Sequence, residues 1–324
     1  MAETFLRIAD IVIRIKSENA PKEEGANRFR YNHFVIKNKP SKVDIDLSLK
    51  AIEKYRIYKP KELFRTERDA PKFKRFNFER MTPVAKARNL SKEEEMYLGE
   101  GLDWRIGRQG DKILIEGGSS GRHQLFINGK LDKGEAFIIN ADNEWKITNV
   151  IYGFLQVLII YYLAKNRCGA LFHSAGLHDG QRGFLFAGLS RAGKSTTSRI
   201  WDDIPGVNIL NDDRIIVRKI KNEFYMYPTP WHGDYSEYLK DETVGKAKLS
   251  KLFYIYHRDT NLEERMDYIE GFSHFFKTLF LSFWDRDCVK FTFDFLVDIM
   301  AQRPCYKFGF KNDSRIISYI RNLD

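Results

Sequence analysis

The chain has 324 residues, with 54 Lys and Arg against 44 Asp and Glu, a formal charge of +10. At 43% hydrophobic and 14% aromatic residues it carries too many large apolar side chains to remain disordered, and its length suggests about two domains at roughly 150 residues each. Three scattered cysteines, Cys168, Cys288 and Cys305, form no CxxC pair, which excludes a disulfide framework and a zinc knuckle and points to a reducing, cytoplasmic setting.

The first segment, MAETFLRIADIVIRIKSE, interrupts any signal-peptide apolar run with Glu3, Arg7 and Asp10, so secretion is not expected. Residues 4–16 partly alternate between apolar and polar and read as a strand, as does FRYNHFVIKN beyond the charged loop SENAPKEEGAN. Nearly all of the net charge sits in residues 54–92, where thirteen Lys and Arg face four acids. Tyr55, Tyr58, Phe64, Phe73, Phe76 and Phe78 are interleaved with them, and Pro60, Pro71 and Pro83 break the stretch into short pieces. Such a stretch reads first as a connector with solvated charges and its aromatics packed beneath; an acidic peptide or protein partner is the next reading, and nucleic acid the least favoured. From Asp103, the runs DWRIGRQG, DKILIEGG, HQLFING and EAFIINAD are separated by turns such as Asn128-Gly129 and read as a meander of antiparallel strands. Residues 1–144 are therefore expected to form a β-rich domain, and 145–324 a second one.

The second domain opens on ITNVIYGFLQVLIIYYLA, Ile147 to Ala164, which is uncharged and at the lower limit of membrane-spanning length. It carries Thr148, Asn149, Gly153 and Gln156, and reads as a soluble helix buried on nearly all sides; no membrane span is expected. Strands and helices then alternate. GALFHSAGLHDGQRGFLFAG puts His173 at the end of an apolar strand, ahead of an Asp179-Gly180 turn into the next strand. A lone histidine is more often structural, but a hairpin would bring this one beside the loop that follows. That loop, Gly188 to Ser195, fits G-x-x-x-x-G-K-[ST] without mismatch, between the strand-like GFLFA and the helix-like TTSRIW. Its glycines let successive N–H groups face one oxyanion while the helix start adds partial positive charge. Gly188, Ser190, Arg191, Ala192, Gly193, Lys194, Ser195 and Thr196 are the expected cradle for ATP or another nucleoside triphosphate. Lys194 would reach the β- and γ-phosphates, and Ser195 would ligate Mg²⁺.

One helix and one strand later comes VNILNDDRIIVRK. Asp212 and Asp213 end an apolar run where Mg²⁺ is held in folds of this kind; one would hold metal and the other accept a proton from an acceptor hydroxyl, and which does which stays open. The plain alternative is an Asn-Asp-Asp turn, with IIVRKIKNEFYMY as the two arms of a hairpin. YPTPWHGDYSEY follows, a proline-stiffened loop expected to display Trp231, His232, Asp234 and Glu237 toward substrate, unless Trp231 and His232 merely plug it onto the core. AKLSKLFYIYHR reads as a core strand, GFSHFFKTLFLSFW and FTFDFLVDIMAQ as helices, PCYKFGFK as a late strand and SRIISYIRNL as a closing helix. Arg258, Arg286 and Arg303 are candidates for steadying a transferred phosphate, though surface ion pairs explain each as well.

The order of FHSAGL, AGLSRAGKST and LNDDR resembles the kinase domain of the HPr kinase/phosphorylase family and, more distantly, the phosphoenolpyruvate carboxykinase P-loop domain. In overall plan the chain is most similar to the HPr-kinase-like proteins of peptide-tailoring gene clusters. The resemblance covers about residues 165–235. It implies an α/β fold, α+β overall, with a β-rich N-terminal domain before a mixed-sheet P-loop kinase domain. It also implies nucleotide and Mg²⁺ binding by Lys194 and Ser195, with His173 beside the acid pair Asp212 and Asp213. No counterpart of the family's second signature loop is found downstream, and the N-terminal half does not read as its usual regulatory domain. The resulting expectation is an ATP- and Mg²⁺-dependent cytoplasmic kinase acting on a hydroxyl, best a serine of a peptide or protein held near residues 54–92. A small-molecule kinase and a non-catalytic nucleotide-sensing or polyanion-binding module are the alternatives, and a homo-oligomer stays open.

Overall fold

The computed structural model describes residues 1–22, 31–52, 61–65, 76–77, 82–83, 104–117, 123–139, 144–189, 192–233, 235, 245–311 and 314–323. Residues 61–65, 76–77, 82–83 and 310 are described in backbone only, and most of the basic stretch 54–92 lies outside the described residues. The fold mixes α and β around two large mixed sheets, and the chain divides into two compact units, Met1–Tyr162 and Leu163–Asp324.

In the first unit, β1 (Ala2–Ile8) and β2 (Ile11–Ser17) form a hairpin. The segment expected as one strand over 4–16 is two, because Ala9 and Asp10 both take positive φ, the geometry of a tight hairpin turn. Phe29 and Arg30 of FRYNHFVIKN lie outside the described residues; among the described ones only β3 (Val35–Ile36) is strand, since Asn32–Phe34 wind into a 3-10 turn. β4 (Ile45–Ile52), β5 (Lys61–Arg65), β6 (Phe76–Asn77) and β7 (Thr82–Pro83) follow. Then comes the meander: β8 (Arg105–Gln109), β9 (Lys112–Gly117), β10 (His123–Asn128) and β11 (Lys133–Ile139), each antiparallel to the next. The nine-stranded order is β3-β1-β2-β4-β11-β10-β9-β8-β5. β4 joins hairpin to meander by pairing in parallel on both sides.

The apolar helix α1 (Ile147–Lys165) is long and apolar enough by composition to cross a membrane. Its Val150, Phe154, Leu158 and Ile159 are nonetheless buried within the protein. It widens to a π turn over Ile151–Leu155, where Gly153 lies so close to β10 that a Cβ would meet His123 Cδ2 at 2.9 Å.

The second unit is built on β12 (Gly169–His178), β13 (Gly183–Ala187), β14 (Asn208–Asn211), β15 (Arg214–Ile220), β16 (Glu223–Tyr227), β17 (Ala247–His257), β18 (Leu262–Arg265) and β19 (Cys305–Phe310). Its pairings close a ring, β12-β13-β17-β16-β15 and back to β12, with β19 and β18 extending from β17. β13 is paired on both edges and covered on both faces, which is why GFLFA is apolar throughout. Alternate residues serve the two faces. Phe184, Phe186, Phe253 and Phe308 pack with Trp201 of α2 (Lys194–Asp202) and Ile316 and Ile320 of α5 (Arg315–Arg321). Leu185, Ala187, Leu252 and Tyr254 pack with Phe275 of α3 (Tyr268–Phe275) and Phe295 and Ile299 of α4 (Arg286–Gln302). Each fully buried aromatic or leucine contributes about 2 kcal/mol of burial energy. GFSHFFKTLFLSFW does not run on as one helix. α3 ends at Phe275 and a 3-10 turn ends at Thr278; the backbone then extends so that Leu279 bridges Phe172 and Phe280 N–H donates to Leu171 O, covering a free edge of β12.

Candidate active site

The phosphate-loop motif lies where β13 hands over to α2. A Cβ on Gly188 would sit 2.7 Å from Ile255 O and 2.9 Å from Ala192 Cβ, so only glycine lets the strand leave the sheet here. Gly193 takes φ 103°, the left-handed conformation glycine favours, and starts the helix. Thr197 Oγ1 donates back to Gly193 O at 2.9 Å, and Ala192 N–H donates to Leu189 O at 3.0 Å. Trp201, fully buried edge-on against Phe184 at 5.9 Å, fastens the helix to the sheet. Ser190 and Arg191 lie outside the described residues, and Thr196 is half-buried. Lys194 is buried, its Nζ donating to Gly188 O and Leu189 O at 3.1 Å each. Burial pushes its ammonium down to about 8, against the opposing pull of Asp213 and Asp212.

β14 ends at Asn211, whose buried side chain organises the acidic turn. Its Oδ1 accepts from the N–H groups of Asp213 and Arg214 at 2.8 Å each, and its Nδ2 donates to Thr229 O at 3.0 Å and Trp231 O at 3.2 Å. Turn chemistry and a β15–β16 hairpin, raised above as the alternative to function, are both present, and together they send the two carboxylates in different directions. Asp212 Oδ2 accepts from Ser195 Oγ at 3.1 Å and from Tyr235 N–H at 3.0 Å, while Oδ1 accepts from Gly233 N–H at 2.8 Å. Burial raises its proton affinity above the usual carboxylate range, those three donors acting against the shift and neighbouring Asp213 adding to it. Asp213 turns instead to His173, with Nδ1 3.1 Å from Oδ1, and to Arg214, with Nε 3.2 Å from Oδ2. Burial would raise Asp213 too, but the hydrogen bond and charge of His173, with Arg214 and Lys194, hold it down at about 2. His173 is set by register: it pairs with Arg214 across β12 and β15, and Ser174 N–H donates to Asp213 O at 2.8 Å. The Arg214 guanidinium also lies 5.5 Å from the centre of the Phe280 ring.

The proline loop returns to the same place through its backbone. Gly233 packs against both acids, so that a Cβ would meet Asp212 Oδ2 at 2.7 Å and Asp213 Cβ at 3.2 Å. Trp231 is 1% exposed, so its ring serves to seat the loop and is not displayed as expected. His232 is half-buried, with Nδ1 2.9 Å from Gly233 O. Asp234 and Glu237 lie outside the described residues. Arg303 is tied to Leu249 O at 2.8 Å and to Glu223, a structural arrangement, and Arg258 Nη1 lies 3.4 Å from the Tyr256 hydroxyl.

Ser195 and Asp212 thus offer two adjacent hard oxygen donors. That suits Mg²⁺, which takes one or two protein oxygens and keeps several waters. Sequence reasoning did not single out Asn211, Arg214, Gly233 or Tyr235. The run NDDR could have suggested the first two, but nothing local marks the donors from Gly233 and Tyr235.

No family model matches this chain, and no curated protein matches it. Among solved structures, the chain is similar to the HPr(Ser) kinase/phosphatase from Coxiella burnetii at 16% identity, covering 47% of this chain and 94% of that one with a TM-score of 0.30, a distant likeness.

Proposed function

We propose that the protein is a nucleotide- and Mg²⁺-dependent kinase that transfers a γ-phosphoryl group to a hydroxyl, most suitably a serine of a peptide or protein. The observation that carries this reading is the pairing of Ser195 with Asp212 and of His173 with Asp213 beside the phosphate loop. Gly188, Ala192, Gly193 and Lys194 would cradle phosphate oxygens, and Ser195 with Asp212 would hold Mg²⁺. The metal would neutralise charge developing on the transferred group.

The two acids divide the work by their surroundings. Asp212 has both oxygens engaged by donors from three elements, which fits a fixed cation holder. Asp213, kept ionised by His173 and Arg214, is the carboxylate assigned to the acceptor's proton, together with His173. A carboxylate of such low basicity suffices, because phosphoryl transfer has a loose transition state in which positioning and charge outweigh proton abstraction. Lys194 would exchange its contacts to Gly188 O and Leu189 O for phosphate oxygens. The net +9 of residues 54–92 supports an acidic acceptor.

The test is calorimetry with ATP and Mg²⁺, followed by transfer of labelled γ-phosphate to serine-containing acidic peptides. Binding that is lost in Lys194→Ala, with label recovered in peptide, supports the reading. Label in small products only would move the acceptor to a small molecule, and no binding at all would end the proposal.

A further inference from the structure

We propose that Tyr235 is a positioning residue that keys Asp212 to the P-loop helix, keeping Asp212 and Ser195 aligned as one cation-holding pair. The inference rests on the kinase reading above and assigns a role within that site. Ser195 sits on the first turn of α2, whereas Asp212 sits on the turn between β14 and β15, so nothing in the local chain fixes the distance between them. Tyr235 supplies that link. Its N–H donates to Asp212 Oδ2 at 3.0 Å, the same oxygen that accepts from Ser195 Oγ at 3.1 Å. Its phenol donates to the carboxylate of Asp202, the last residue of α2. Its ring is buried and lies 5.2 Å from the Arg199 guanidinium, one turn before the helix ends.

The contacts close a circuit: Ser195 to Asp212, Asp212 to the Tyr235 backbone, the Tyr235 phenol to Asp202, and Asp202 back to Ser195 along seven residues of helix, about 10 Å of stiff rod. A helix of that length does not stretch, so the phenol contact fixes where the Tyr235 N–H stands relative to Ser195. Asp212 is thereby referred to the helix that carries its partner hydroxyl, and not only to its own turn. Small misplacements of such groups are costly because electrostatic catalysis depends on geometry set in advance.

The experiment titrates Mg²⁺ at fixed ATP against wild-type full-length protein, Tyr235→Phe, Asp202→Ala and Asp202→Asn, reading nucleotide binding by calorimetry. The same proteins are titrated with ATP in EDTA. Tyr235→Phe and Asp202→Ala should raise the Mg²⁺ concentration for half-maximal binding by about tenfold, the size expected from losing one charge-assisted hydrogen bond. ATP binding in EDTA should stay within about twofold, Asp202→Asn should retain near-wild-type Mg²⁺ dependence because an acceptor oxygen remains, and the pair Tyr235→Phe with Asp202→Ala should be no worse than either alone. Unchanged Mg²⁺ dependence in Tyr235→Phe overturns the proposal while leaving the kinase reading intact. Equal loss with and without Mg²⁺ also overturns it, since that marks a merely structural contact. Wild-type protein that binds no nucleotide overturns both.

Discussion

The Ser195 hydroxyl donates to Asp212 Oδ2 at 3.1 Å, joining the start of the P-loop helix to an acidic turn seventeen residues further along the chain. The contact brings together the loop proposed above to cradle phosphate and a carboxylate that burial has made reluctant to ionise. In the proposed kinase, a cation bound between them would relieve that reluctance.

Asp212→Asn follows from this. The raised proton affinity of Asp212 means that its charge costs folding energy at neutral pH, a cost that shrinks as pH falls below the raised value and is gone only below the ordinary 3.8, where both folded and unfolded chains are protonated. The amide variant loses that cost but turns an NH₂ toward one of the buried donors, so the two effects oppose and it should melt within a few degrees of wild type, while Mg²⁺-dependent turnover falls by about 10²-fold or more. Thermal melts alongside kinetics check it, and a strongly destabilised Asp212→Asn would count against the burial argument.

Asp213 has the opposite sign. Its carboxyl is held at about 2 against an ordinary 3.8, so it stabilises the fold above pH 4 and that contribution is lost as pH falls from about 4 to about 2. Asp213→Asn should cost about 2 kcal/mol at pH 7, and the gap to wild type should close over that acidic window. Denaturant titrations at stepped pH measure it.

Lys194→Met should separate stability from binding. With its ammonium at about 8 in the fold, against an ordinary 10.5, the lysine is charged but penalised at pH 7, and the penalty fades as pH rises from 8 to 10.5. After allowing for the two lost contacts to carbonyls, the methionine variant should be more stable by about 1 kcal/mol at pH 7, the advantage shrinking toward pH 10. It should bind no nucleotide in calorimetry.

Gly233→Ala tests the backbone approach to the acids. The added Cβ, 2.7 Å from Asp212 Oδ2, must displace either the carboxylate or the loop. Turnover should drop by about 10²-fold with only a modest loss of stability, because the loop stays anchored through Asn211 and Trp231. Activity within twofold of wild type would show that the approach is not needed.

The sequence by itself carried the parts whose cause is local. GFLFA followed by a glycine loop and TTSRIW is readable because a strand paired on both edges is apolar throughout, glycine is required where φ is positive, and a helix start offers free N–H groups. The meander from Arg105 to Ile139 and the hairpin after Asp213 were legible for the same reason: alternation and turn residues act within a few positions. The length of α3 was not, since Phe276 to Trp284 is as apolar as a helix would need and only the open edge of β12 draws Leu279 and Phe280 into extended backbone. Nor was the division between the acids. Asp212 and Asp213 are identical neighbours in the chain; what separates them is Ser195, Gly233 and Tyr235 around one and His173 and Arg214 around the other. Those groups come from a helix, a loop and two strands, and a charge or donor acts through space, so only tertiary packing could decide which carboxylate is raised and which is lowered.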